Sequence, residues 1–251
     1  ENTAASEAGG AVFVSRNGRA TFVACTFESN RVYNMFWNQH HSRYITKQDC
    51  FYSGSQQGNG GAMYSQAALF VRDCIFRNNT ACRNGGAIYL DDADGNIKNT
   101  TFDTNRVFVG DGGALSFAKE STNPDSNVMR SLSLVSCDFV ENSAMGNSKE
   151  HGPSHEPDSS MSSSRGGAVY IGTGGNIHVK RCTFRGNKAN IVLAPCGCAF
   201  GECQSFGGAI FLTDKKRDCD SFFSFGFPST NGRSHCKRFN VSLVANIEGS
   251  I

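Results

Sequence analysis

Proline is scarce, with 5 in 251 residues, and tryptophan occurs once. Neither sign of charge dominates: 24 basic and 22 acidic residues leave a net charge of +2. The basic residues are scattered and form no polybasic arm, so the sequence predicts no nucleic-acid partner. No run of about 20 apolar residues occurs, which excludes a membrane-spanning helix within these residues. No signal peptide is visible. The chain opens mid-pattern at "ENTAASEAGGAV", as a processed form or a fragment of a longer protein would. Catalytic signatures are missing too: there is no G-x-S-x-G, no H-E-x-x-H and no P-loop. The 11 cysteines include no C-x-x-C pair, which argues against a zinc ribbon.

What is present is glycine, phenylalanine, asparagine and cysteine. The 28 glycines disfavour long helices, since each costs about 1 kcal/mol in a helix interior. The odd cysteine count leaves a thiol unpaired unless it bonds another chain. N-x-S/T sequons begin at Asn78, Asn99 and Asn240. Together with the cysteines they lean towards an extracellular or surface setting.

Self-similarity decides the fold. "GGAVFV" from Gly9 recurs as "GGAMYS" from Gly60, "GGAIYL" from Gly85, "GGALSF" from Gly112, "GGAVYI" from Gly166 and "GGAIFL" from Gly207. A second phrase follows: "ACTFESN", "DCIFRNN", "NTTFDTN", "SCDFVEN" and "RCTFRGN", ending at Asn30, Asn79, Asn105, Asn142 and Asn187. Ahead of the phenylalanine lies an apolar alternation, as in Leu69-x-Val71, Leu132-x-Leu134 and Ile177-x-Val179. Two-residue spacing places both members of each pair on one face of a strand. Three short strands per repeat predict one coil of a parallel β-helix, with coils stacked about 4.8 Å apart. The fold expectation is an all-β, right-handed, single-stranded parallel β-helix over residues 1–251. It has about seven coils of three short strands, one of them a worn copy between Asn30 and Gly60.

The coil gives each repeated residue a task. Gly-Gly supplies a sharp corner and close approach, and alanine fits a narrow interior. Val12, Met63, Ile88, Leu115, Val169 and Ile210 are expected to form an interior ladder. Cys25, Cys74, Cys137 and Cys182 share a position with Thr100, predicting a column of buried small residues rather than a catalytic or metal site. The phenylalanines are expected to stack beside them. The closing asparagine is expected at a corner, tolerating a left-handed turn and bonding its copies above and below.

Four segments break the repeat. "YNMFWNQHHSRY" reads as a loop carrying Trp37. Residues 119–128 and 146–165 read as polar insertions, the second being too rich in Ser, Pro, Gly and charge to build a core. Residues 191–206 read as a third. Cys196, Cys198 and Cys203 in it, with Cys219 and Cys236 beyond, are the disulfide candidates, with connectivity left open. Residues 213–251 are a degenerate coil or a C-terminal cap.

The paired GGA[I/L/V] and FxxN phrases resemble the polymorphic membrane protein (Pmp) repeat of chlamydiae, over nearly all of residues 9–212. That resemblance implies a right-handed β-helical passenger, displayed at the cell surface and linked to adhesion. Parallel β-helices also host polysaccharide lyases, hydrolases and epimerases, which need carboxylates on adjacent coils or calcium with a base. "DDADGN" (Asp92, Asp94, Asn96) resembles half a calcium loop. No Glu follows at the required spacing, so a turn is the plainer reading. His151 and His155 in the second insertion make a poor metal site without supporting structure. No metal and no cofactor are expected.

One outward feature remains. Phe13, Tyr64, Tyr89, Tyr170 and Phe211, interrupted by Ser116, alternate with the inward aliphatics and so point outward. Left exposed, this stripe is a candidate surface for a glycan or a protein. Covered by the insertions, it only supports the sheet. The expectation is a non-enzymatic surface or extracellular protein, an adhesin or an assembly subunit, with other proteins or glycans as partners. The alternative is a carbohydrate-active enzyme.

Overall fold

The computed structural model describes residues 2–5, 8–33, 37–38, 43–44, 58–118, 130–147, 164–172, 175–192, 205–206, 208–212 and 240–248. Among these residues there are only strands, turns and bends. With one hairpin excepted, every strand pair is parallel. The glycine strands Val12–Val14, Met63–Ser65, Ile88–Asp91, Leu115–Ala118, Val169–Ile171 and Ile210–Leu212 form one six-stranded sheet in that order. A second face carries Arg19–Val23, Ala68–Arg72, Gly95–Lys98, Arg130–Val135 and the first part of Gly175–Arg185. A third carries Thr26–Glu28, Ile75–Arg77, Thr101–Asp103, Asp138–Val140 and the second part of that long strand, which joins the two faces. Asn240–Glu248 lies alongside it, with one irregularity opposite Lys180 and Cys182.

A fourth face departs from the expected three strands per coil. Thr3–Ala5, Arg31–Tyr33, Thr80–Ala81, Arg106–Val107, Ser143–Asn147 and Lys188–Val192 form their own parallel sheet. Several of these strands bury one apolar side chain near the corner, as with Val32, Ala81, Val107, Ala144 and Ala189. A single inward residue gives no alternation, so the sequence pattern does not announce the strand.

The worn coil between Asn30 and Gly60 is also corrected. Val12 pairs with Met63, Arg19 with Ala68 and Thr26 with Ile75. The coil that starts at Gly9 therefore rests directly on the one that starts at Gly60, and no level is left between them. The segment lacks the Gly-Gly corner that enters a coil. Its Trp37–Asn38 pairs antiparallel with Arg43–Tyr44 as a small hairpin, while Cys50, Phe51 and Gly54 lie outside the described residues.

The core is the one the alternation predicts. Met63, Ile88, Leu115 and Val169 are fully buried in register. Ala62, Ala87, Ala114 and Ala168 are buried beside them. Phe27, Phe76, Phe102, Phe139 and Phe184 stack at 4.7–5.0 Å with ring planes within 10°. The corner glycines have separate duties. Gly85 sits at φ +64°, a region that disfavours side chains, and a Cβ on Gly86 would strike the Gly113 carbonyl oxygen of the next coil.

At the opposite corner the asparagines form a ladder. Asn105 accepts through Oδ1 from the Asn79 backbone N–H and Nδ2, both at 3.0 Å. Its own Nδ2 donates to Asn142 Oδ1 and to the Phe76 carbonyl, again at 3.0 Å. The same bonds run from Asn30 to Asn187, and Asn2 extends the ladder at the first level. Each interior amide satisfies both donors and its acceptor, which is what permits full burial. The positive φ belongs to the residue before it: Ser29, Asn78, Thr104, Glu141 and Gly186. The asparagine is at the corner, as expected, but its neighbour makes the left-handed turn.

Candidate functional site

The outward aromatic stripe lies where the alternation places it, but it is not a surface. Tyr89 is 1% exposed, Tyr170 2% and Tyr64 7%. Among the stripe residues whose side chains are described, only Phe13, at 55%, is open to solvent. Phe13 stacks on Tyr64 at 5.3 Å, and Tyr64 on Tyr89 at 5.4 Å. Phe211 is in register with Tyr170, and its side chain is outside the described residues. Tyr64, Tyr89, Tyr170 and Ala118 form a second apolar cluster separate from the interior core. The exposed stripe is thus corrected to a buried layer outside the glycine sheet.

Polar groups are built into that layer. The Tyr64 hydroxyl donates to Asp91 Oδ2 at 2.8 Å, and Gln66 Nε2 donates to the same oxygen at 3.0 Å. Arg165 grips both carboxylate oxygens of Asp111, at 3.1 and 2.7 Å, and lies over the Tyr170 ring. Burial first, and then the nearby Asp111 carboxylate, push the Tyr170 phenol above its ordinary pKa.

The cysteine column is buried as predicted, except that Cys25 is half-buried. Each thiol donates to the carbonyl two residues back: Cys74 to Arg72 at 3.1 Å, Cys137 to Val135 and Cys182 to Lys180 at 3.5 Å. Thr100 makes the same bond to Lys98 at 2.8 Å. The position needs a small side chain that donates one hydrogen bond, which is why threonine replaces cysteine there. Burial raises the Cys74 pKa. A shared hydrogen bond with Cys182, with burial added, raises that of Cys137. The same shared bond lowers that of Cys182, so the raised, neutral thiols are Cys74 and Cys137, which are poor nucleophiles. Cys82, not singled out by the sequence, is buried and disulfide-bonded. Its partner is not among the described residues, where the other four cysteines are free. Cys196, Cys198, Cys203, Cys219 and Cys236 lie outside the described residues.

"DDADGN" is a turn joining the strands Ile88–Asp91 and Gly95–Lys98. Asp92 sits at φ +50° and meets Arg130 Nε at 3.2 Å. Asp94 accepts from the Ser131 backbone N–H at 2.7 Å and from its hydroxyl at 3.0 Å. These carboxylates clasp the adjoining coil. Asp103 is likewise held by Arg77 at 3.0 Å. Asp73 takes a bond from Asn99 Nδ2 at 2.6 Å. The sequon residues Asn78 and Asn99 are exposed at positive φ. Asn240 begins the strand Asn240–Glu248. His151 and His155 lie outside the described residues. Among the described residues no group of three or more His, Cys, Asp and Glu side chains is placed to hold a metal.

Basic charge is less scattered than the sequence suggests. His178, Lys180, Arg181, Arg185 and Lys188 all belong to one coil. The last four are exposed and His178 is half-buried. The signal was legible in "HVKRCTFRGNK", which has five basic residues and no acid.

Parallel strands in register, Gly-Gly corners and a buried asparagine ladder describe a β-helix, and comparison with known families agrees. Residues 9–217 match the family model for a right handed beta helix region. The chain belongs to the right-handed β-helix family. No curated protein and no solved structure matches this β-helix. The family fits adhesin-like and carbohydrate-active proteins alike, so the choice between them rests on the outer surface.

Proposed function

We propose that this β-helix is a non-enzymatic surface or extracellular protein, acting as an adhesin or as a subunit of a larger assembly. The observation that carries the reading is the use of five acids on the turns and the outer layer. Asp91, Asp92, Asp94, Asp103 and Asp111 are each engaged by a side chain of another coil. A glycoside hydrolase works through a pair of carboxylates flanking one bond, with one held ready to donate a proton. Carboxylates tied to side chains of the next coil are not placed to flank a scissile bond as such a pair must. The likeness of the GGA[I/L/V] and FxxN phrases to the Pmp repeat supports adhesion. The exposure of Asn78 and Asn99 suits glycan attachment in a secretory setting.

The test has two arms. The purified protein is incubated with acidic and neutral polysaccharides, and reducing ends and unsaturated uronates are assayed. No product is expected. Beads coated with the protein are then scored for adhesion to cells and for proteins retained. Product that disappears in Asp103→Asn or Asp138→Asn would establish the carbohydrate-active alternative.

A further inference from the structure

We propose that the outer surface of the coil built by Gly175–Arg185 and Lys188–Val192 binds an acidic polysaccharide. The proposal rests on the reading above of the β-helix as a binding scaffold and names its ligand class.

Alternation sets up the surface. Ile177, Val179, Cys182 and Phe184 are buried in the core, so His178, Lys180, Thr183 and Arg185 project outward. Arg181 occupies the corner between the two faces, and Lys188 follows the next corner. The cations therefore form a band around the circumference of one coil. Four arginines on other coils meet carboxylates: Arg72–Asp73, Arg77–Asp103, Arg130–Asp92 and Arg165–Asp111. Among the described residues none of the band's cations has such a partner. The acids nearest in register are Asp138, paired with Thr183, and Glu248, paired with Arg185, with Glu141 at the neighbouring corner. The other end has none: Ser133 and Val135 flank His178 and Lys180 on one side, and Ser242 and Val244 on the other. Charge is thus concentrated on Lys180 and Arg181, with His178 beside them.

Arg181 adds an independent sign. Its φ is +53°, where other coils place Ala24, Asp73, Asn99 and Ser136. Asparagine suits this conformation better than a long side chain. Arg181 is the one cation at this corner among the described coils, and it is exposed there.

The surroundings select the ligand. Beside the band stand Ser133, Ser136 and Thr183, half-buried groups able to bond sugar hydroxyls. Single-stranded nucleic acid would call for aromatic platforms, and a membrane for apolar anchors. Among the described residues the exposed large hydrophobics are Phe13, Val23 and Ile75, all on the first two coils.

The experiment uses the full chain and measures Kd for immobilised heparin at 0.15 M salt. Polygalacturonate, neutral dextran, an oligothymidylate and phosphatidylserine vesicles serve as comparisons. Lys180→Ser/Arg181→Asn/Lys188→Ser is set against Arg72→Ser/Lys98→Ser/Arg106→Ser, which removes the same charge elsewhere. Weakening of about tenfold or more is expected for the band variant and less than about twofold for the control. Circular dichroism checks the fold, and Arg181→Asn alone, which relieves the corner, must weaken binding while the melting temperature holds or rises. Equal loss in both triple variants, loss in neither, or tighter binding to oligothymidylate or vesicles overturns the proposal. If heparin is not bound but coated beads still adhere, the band is wrong and the scaffold reading stands. If a bound polysaccharide is shortened, the band stands and the non-enzymatic reading falls.

Discussion

The two sides of the stack obey different rules. On the asparagine side, columns run without a break: Asn30 to Asn187 in one, Phe27 to Phe184 in the other. On the glycine side, both outer columns falter in the same coil. The short ladder Asn59–Asn84 meets Asp111, which closes onto Arg165, and the aromatic row meets Ser116. An interior column sits between identical neighbours, so a foreign residue there leaves buried donors unmet or a void. The outer columns are buried as well, but they lie outside the sheets, where a salt bridge such as Arg165–Asp111 takes the place of a missing member.

The comparison can be broken at several points. Gly86→Ala should be the most damaging, because its Cβ meets backbone rather than a movable side chain. A loss of at least about 4 kcal/mol is expected, enough to abolish the folding transition. Soluble protein with an unchanged melting curve would contradict the corner geometry. Asn105→Ala comes next at about 3–5 kcal/mol, since it strips acceptor and donor from two buried amides at once. Asn84→Ala on the other side should cost about 1 kcal/mol, and equal losses in urea titrations would erase the distinction. Phe102→Ala, with stacked neighbours at 5.0 and 4.7 Å, should lose about 3–5 kcal/mol by the same measurement.

The pH effect is smaller and has a definite sign. Burial raises Cys74 above 9.0 and Tyr170 above 10 in the folded chain. The neutral forms are therefore favoured by folding. Their stabilisation is complete below about pH 9 and is lost as pH rises through the folded values. The melting temperature should fall between pH 8 and pH 11, and a flat profile would contradict the burial of these groups. The smallest effect is expected at Ser116, whose buried hydroxyl has no hydrogen-bond partner among the described residues. Ser116→Ala should be neutral or stabilising by up to about 1 kcal/mol, while the same change at the bonded Thr100 should destabilise.

Most of the fold was legible because identical residues recur at the same step. Three alternations announced three strands, and Gly-Gly and Phe-x-x-Asn announced the corners. The fourth strand was hidden because one inward residue, such as Val107, makes no pattern. The stretch after Asn30 looked like a worn coil because Cys50-Phe51 echoes the repeat. Only the register of Val12 on Met63 shows that no level exists there. The outward direction of Tyr89 followed from alternation, but its burial did not, because cover over a sheet face leaves no local signature. The basic band was visible in "HVKRCTFRGNK". It gained meaning once Arg181 was placed on a corner and carboxylates were shown to engage arginines elsewhere.

The central claim is that this β-helix binds through its outer surface and does not cut what it binds. Size-exclusion chromatography of heparin and of polygalacturonate incubated with the protein reports both properties in one trace. The account predicts that protein co-elutes with an acidic polysaccharide whose own elution volume, after high-salt release, is unchanged. Polysaccharide that emerges shortened, or protein that elutes free of both at physiological salt, would contradict it.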